Sequence, residues 1–337
     1  SDRGLIDCQQ LYKLILERCK TAREAIRLTD ELTAKYGWND AGEMITISDT
    51  KEVWHLEIVG PGHGNLGAVW AAQRVPDDHV SVCPNESRIG EIDLDNSDYF
   101  MGSSNIVSLA VEKNLYDPDS GKPFNWKRAY SPAGFSANSS GGSRARMWRF
   151  FDLVAPSRKF SADTMNMDFP FSVKPDTKLS VQDVMNLTRD KYQGTKFDPA
   201  AGLRGGPFKN PNYHPRPVRV EGTTYFTPRT IGVNRAEYTT VTQCRDWLPD
   251  LLCGLYWHTP DDCFTTCFAP FYVGIERVPR SFTLGDIDRF SWDSAWWVYN
   301  FVSNLTYNCY SRIRPDVAKV QQEMEDAVFA MQPAVEE

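Results

Sequence analysis

The sequence predicts an α+β fold with antiparallel sheets, and three observations carry that expectation. Two helical patterns open the chain, with a recognisable cap between them. The hydrophobic period then falls from 3.6 to 2 near residue 44. Four short apolar runs follow within about 40 residues, joined by loops too short for a crossover helix.

Residues 5–20 carry Cys8, Leu11, Leu14, Ile15 and Cys19 at helical spacing. Thr21-Ala22-Arg23-Glu24 is a capping box, with Thr21 as N-cap and Glu24 three residues on. The helix it opens is expected to bury Ala25, Leu28, Leu32 and Tyr36, and Gly37 stops it. Residues 44–48 form a strand and Asp49-Thr50-Lys51 a turn. Residues 53–59 form a second strand, with Trp54, Leu56 and Ile58 on one face. Val53, His55, Glu57 and Val59 share the other, read as a solvated or partly covered face rather than a catalytic one. Runs at 67–74 and 79–83 complete an antiparallel meander. Gly62-x-Gly64-x-x-Gly67 has the spacing of a dinucleotide fingerprint. It leads into a strand, so a phosphate there would meet no helix N-terminus, and it reads as a hairpin loop.

Residues 103–115 read as a helix and 116–143 as a loop. An aromatic and basic helix covers 144–153 and closes before Pro156. Ser180 and Asp183 open a helix over 177–193. Glycine and proline are dense from 197 to 235. Short β-like runs follow at 238–242 and 267–275. Residues 294–304 read as a buried helix around Trp296, Trp297, Tyr299 and Phe301, and 316–331 as a polar helix. The expected division is 1–160 and 161–337.

Composition narrows the function. Asp and Glu number 44 against 37 Lys and Arg, a net charge of −7, which argues against nucleic acid and anionic membrane as partners. The sequence has no run of 18 apolar residues, the length at which a transmembrane helix is expected. Hydrophobic residues at 41% predict a packed interior rather than disorder. His-Glu-x-x-His, Walker A and Gly-x-Ser-x-Gly motifs are absent from the sequence. Cys8, Cys19 and Cys83 read as buried single thiols. Cys244, Cys253, Cys263 and Cys267 leave a disulfide or a zinc site open, without the C-x2-C spacing that would favour metal.

Two segments stand out chemically. An apolar run ends at Pro84, which cannot donate to a ladder, and places Asn85 at a strand end. An amide there is either a plain turn residue or a donor to a developing oxyanion. In the helix over 144–153, Arg146 and Arg149 share a face, which is either a solvated basic surface or a guanidinium that holds a carboxylate or lowers a thiol's pKa.

Taken in order, these and other runs resemble one family. They include Glu17-Arg18-Cys19-Lys20-Thr21-Ala22-Arg23-Glu24-Ala25, Glu52-Val53-Trp54-His55-Leu56-Glu57-Ile58 and Gly67-Ala68-Val69-Trp70-Ala71-Ala72-Gln73-Arg74-Val75-Pro76-Asp77. Asn85-Glu86-Ser87-Arg88-Ile89-Gly90, Arg146-Met147-Trp148-Arg149, Gln243-Cys244-Arg245-Asp246-Trp247 and Ala269-Pro270-Phe271-Tyr272-Val273-Gly274 extend the match along nearly the whole chain. The sequence resembles the C69 dipeptidases, cysteine-type N-terminal-nucleophile hydrolases. The resemblance implies a four-layer αββα sandwich, two antiparallel sheets between helices, and hydrolysis of dipeptides. It implies an N-terminal cysteine whose own α-amine is the base, an acyl-thioester intermediate, and neither cofactor nor metal.

By the same resemblance, Asn85 is the oxyanion donor and Arg146 stands beside the nucleophile, with Arg144 as the fallback. Glu86 and Arg88 flank the donor, where they orient it or meet a substrate terminus. The chain has no N-terminal cysteine, and Cys8 falls in a helix that the family places well after its nucleophile. The expectation is therefore a chain without the nucleophile segment, inactive by itself. Its partners would be a small peptide, and either that segment or a second copy, with no nucleic acid or membrane. The implied location is periplasmic or secreted, with the cytoplasm as the alternative. The competing functions are an amidase of the penicillin V acylase type and a non-catalytic binding protein on the same fold.

Overall fold

Thr21 accepts a hydrogen bond from the Glu24 amide, and the Glu24 carboxylate accepts from the amides of Lys20 and Thr21. This reciprocal cap separates α1 (Cys8–Arg18) from α2 (Ala22–Tyr36). The computed structural model describes residues 3–131, 142–163, 169–213, 218–225 and 228–337, apart from the side chains of Val218 and Thr224. Gly37 ends α2 at φ 71°, and a Cβ there would come within 2.7 Å of Leu66 Cδ1. Tyr36, expected inside, is exposed, with the Lys35 ammonium over its ring.

The chain divides into two compact units, Ser1–Thr177 and Lys178–Glu337. In the first, β1 (Glu43–Ser48), β2 (Val53–Val59) and β3 (Val69–Val75) form an antiparallel meander. The glycine-rich segment is the β2–β3 hairpin loop, with Gly62, Gly64 and Gly67 all at positive φ. The sheet's fourth strand is not the 79–83 run. That run contributes only β4 (Val80–Ser81), while β5 (Phe100–Gly102) occupies the far edge of β3. After α3 (Ile106–Glu112), α4 (Trp126–Tyr130) and α5 (Gly142–Val154), the short strand β6 (Ser172–Val173) pairs with β4 in a separate sheet.

Strand alternation sorts β2 into two faces. Trp54, Leu56 and Ile58 are fully buried against Leu11 and Ile15 of α1 and Ala25, Ile26 and Leu32 of α2. The opposite face is covered as well. Val69 and Ala71 pack there against Ile89, Ile106 and Trp126, and His55 and Glu57 are 5% and 4% exposed. The face expected to be solvated or partly covered is therefore an interior one. The segment that covers it includes α4, a helix inside the 116–143 stretch expected as loop.

In the second unit, α6 (Val181–Thr188) starts at the Ser180–Asp183 capping box and is shorter than expected. A hairpin of β7 (Val218–Val220) and β8 (Thr223–Tyr225) follows. Then come β9 (Tyr238–Cys244), α7 (Asp250–Cys253), β10 (Gly254–Pro260) and β11 (Ala269–Tyr272), whose strands form an antiparallel sheet in the order β11–β10–β9. α8 (Ala295–Asn308) and α9 (Tyr310–Glu336) close the chain. α9 is anchored by Glu325, which accepts from the Arg189 guanidinium at 2.5 and 3.0 Å and from the Phe268 amide at 2.9 Å. The helix expected to be buried around its aromatics is only half-covered: Phe301 is exposed, and the buried positions are Ser303 and Thr306. All eight cysteines are free thiols.

Leu56 is completely buried on the α1–α2 side of β2. Leu56→Ala should cost about 2–5 kcal/mol of stability, with an unchanged slope in urea unfolding. An unmoved midpoint would mean that this face is not the core.

Candidate active site

β4 ends at Ser81, three residues before Pro84, and the chain turns at Asn85 with φ 59°. Asn tolerates this left-handed conformation better than most residues. The backbone then runs through Glu86, Ser87, Arg88 and Ile89 across the covered face of the sheet. Beneath it, the Glu57 carboxylate accepts from the amides of Arg88 at 2.5 Å and Ile89 at 2.9 Å. It also accepts from the Trp126 indole N–H at 2.7 Å and from the Ser87 hydroxyl. Burial pushes the Glu57 carboxyl above its ordinary range, and these donors pull against the shift.

The first turns of α5 hold the other side of the same segment. Arg146 donates from Nη1 and Nη2 to Asn85 Oδ1 at 3.2 and 3.1 Å, and from Nη2 to the Pro84 carbonyl at 3.1 Å. A guanidinium carries only donors, so the Asn85 oxygen must face it and the N–H₂ group points the other way. Arg144, itself buried, pairs through Nε with Glu86 Oε1 at 3.3 Å. The Ser143 hydroxyl donates to the Asn85 carbonyl at 3.4 Å. Arg149 leaves this group and pairs with Asp152 at 3.3 Å.

Asn85 and Glu86 line a cavity of about 460 Å³ together with Met44, Glu57, Cys83 and Tyr130. An amide donor of fixed orientation at such a cavity can stabilise negative charge that develops on a bound carbonyl oxygen. Cys83 lines the same cavity but is a poor nucleophile. Burial, then the charge of Glu57, pushes its thiol up to about 12, and its sulfur lies 3.3 Å from the Glu86 carbonyl oxygen as a donor.

A model of peptidase family C69 matches residues 2–323. The chain belongs to peptidase family C69. It is 30% identical over 275 residues to a protein named probable dipeptidase B of Lactococcus lactis subsp. lactis (strain IL1403), which covers 81% of this chain and 52% of that one. It is 25% identical over 329 residues to a dipeptidase of Bifidobacterium longum (strain NCC 2705), covering 95% and 57%. Dipeptidase A of Lactobacillus helveticus is 24% identical over 327 residues, covering 97% and 60%. The chain thus spans little more than half the length of these C69 relatives.

Within this C69 chain, the fold brings Asn85, Glu86, Arg144 and Arg146 into one cluster. Arg88 is placed elsewhere. It is 3% exposed, and its guanidinium donates to the carbonyls of Phe169, at 3.4 Å, and Pro170. From sequence, Glu57 reads as part of a solvated or partly covered face, and Trp126 is not singled out. A signal for Glu57 existed: a single acidic residue on a strand face that otherwise carries Val53, His55 and Val59.

His55 lies on that face one alternation from Glu57. Its Nδ1 is 3.1 Å from Thr46 Oγ1, and its ring meets Phe171 edge-on at 5.5 Å between centroids. Burial, then the charge of Arg88, pushes its pKa down from 6.5 to about 4, so the ring is neutral at pH 7. Between those two values the unfolded chain holds a proton that the folded chain does not. Stability therefore falls as pH drops from about 6.5 to about 4, with this residue contributing a slope of up to one proton. In urea unfolding at pH 7 and pH 5, His55→Gln should flatten the loss by that proton. An unchanged pH dependence would place the titration elsewhere.

Proposed function

We propose that the protein containing this chain hydrolyses dipeptides by acyl transfer to the thiol of a mature N-terminal cysteine. The observation that carries this reading is the Arg146–Asn85 pair, held at 3.1 and 3.2 Å beside the cavity. Family membership and the dipeptidase names of the relatives support the substrate class. In this mechanism the cysteine thiolate adds to the scissile carbonyl and its own α-amine holds the displaced proton. Asn85 donates its N–H₂ to the oxyanion. The C–N bond then breaks and the leaving amine takes the proton. Water attacks the thioester, and the thiol is regenerated.

Arg146 keeps the amide of Asn85 from rotating, and Glu86 faces a terminus of the peptide with Arg144 as its counter-ion. Arg88 acts from below, by fastening the donor segment to Phe169 and Pro170. The raised pKa of Cys83 favours a nucleophile other than this nearby thiol. The same reading implies the four-layer αββα sandwich. Support for it comes from the packing of α1 and α2 on one face of the β1–β2–β3–β5 sheet.

The test uses the full-length gene product, with N-terminal sequencing followed by a dipeptide panel before and after thiol alkylation. Cleavage that alkylation abolishes is expected, together with a loss of about 10²–10³ in kcat for Asn85→Ala. Cleavage that survives alkylation would overturn the cysteine mechanism. Turnover of penicillin V in place of dipeptides would establish the amidase function.

A further inference from the structure

We propose that Glu57 is a positioning residue that sets where the Asn85 donor stands. This rests on the reading of Asn85 as the oxyanion donor. A carboxylate is a costly choice for this strand face, whose neighbours Val59, Val69 and Ala71 are apolar, because burying an ion requires its desolvation to be offset. What glutamate supplies that an apolar residue cannot is acceptor capacity. It binds two consecutive backbone amides, of Arg88 and Ile89, only three and four residues beyond Asn85. It also binds the hydroxyl of Ser87 and the indole of Trp126.

The platform beneath is rigid. β2 is paired on both sides, with β1 through Glu57↔Met44 and with β3 through Glu57↔Ala71. The donor segment is thus fixed from two directions. Glu57 holds its backbone to the sheet, and Arg146 holds the Asn85 amide against rotation. An oxyanion donor works only within a few tenths of an ångström of its target, and a displacement of about 1 Å costs on the order of 10²-fold in rate.

Glu57→Gln keeps the size of the side chain but replaces one acceptor oxygen with a donor N–H₂. At least one of the four donors then faces another donor, and the segment must shift. In the full-length protein, kcat for dipeptide hydrolysis should fall by about 10²-fold while KM stays within about twofold, because the loss falls on the transition state. The combined variant Glu57→Gln with Asn85→Ala should be no slower than Asn85→Ala alone, since a donor that is gone cannot be misplaced. Leu56→Ala, one residue away on the opposite face, serves as the stability control and should lower the melting temperature without this kcat–KM split.

If Glu57→Gln does not fold, Ser87→Ala and Trp126→Phe each remove a single donor to the same carboxylate. They should show the same non-additivity with Asn85→Ala. An unchanged kcat in these variants, or losses that multiply in the combined ones, overturns the inference and leaves the dipeptidase reading standing. Absence of dipeptide hydrolysis in the unsubstituted protein overturns that reading, and the inference with it.

Discussion

A carboxylate on an inner strand, shut away from water, must find its hydrogen bonds inside the protein. Glu57 finds them in the segment that crosses above it. Much of the first unit follows from this constraint. The amides of Arg88 and Ile89 are drawn down onto the sheet, and the Trp126 indole is drawn in beside them, which places α4 over the same face. Ile89 then joins Val69 and Ala71 in a second core, opposite the one that α1 and α2 cover. One ionisable group therefore ties a turn, a helix and a sheet together, at the cost of a raised pKa.

The two arginines on α5 show how a helix terminus can clamp a loop. Arg144 and Arg146 are two residues apart and leave the helix in different directions. They reach successive residues of the turn, Glu86 and Asn85. Arg146 does so by curling back along its own helix, with Nε on the Gly142 carbonyl at 3.1 Å. This also explains why the shared face of Arg146 and Arg149 was a poor guide. Helical spacing states which Cβ atoms align. Where a long side chain ends is decided by its partner, and Arg149 found Asp152.

The second unit is built around a comparable pair. Arg189 and Glu325 are both buried and meet through two hydrogen bonds, with the Cys263 carbonyl as a further acceptor for Arg189 at 2.8 Å. A pair of this geometry satisfies both ions and fixes α9 against the loop that joins β10 to β11. The half-covered aromatics of α8 contrast with it. A run of tryptophan and phenylalanine in sequence reads as core, yet the side chains that this helix buries completely are Ser303 and Thr306.

The sequence by itself determined what depends on contacts a few residues apart. The cap at Thr21, the stop at Gly37, the alternation of β2 and the glycine hairpin were all legible, because caps, turns and alternation are local. Its ordered motifs also marked the family. Only the tertiary structure decided which strand lies beside β3, that His55 and Glu57 face an interior, and that Arg146 reaches Asn85 while Arg144 reaches Glu86. Hydrophobic period tells a strand which face is apolar. It carries no information about a segment that arrives 30 to 70 residues later and supplies the hydrogen bonds that let a charged face be buried.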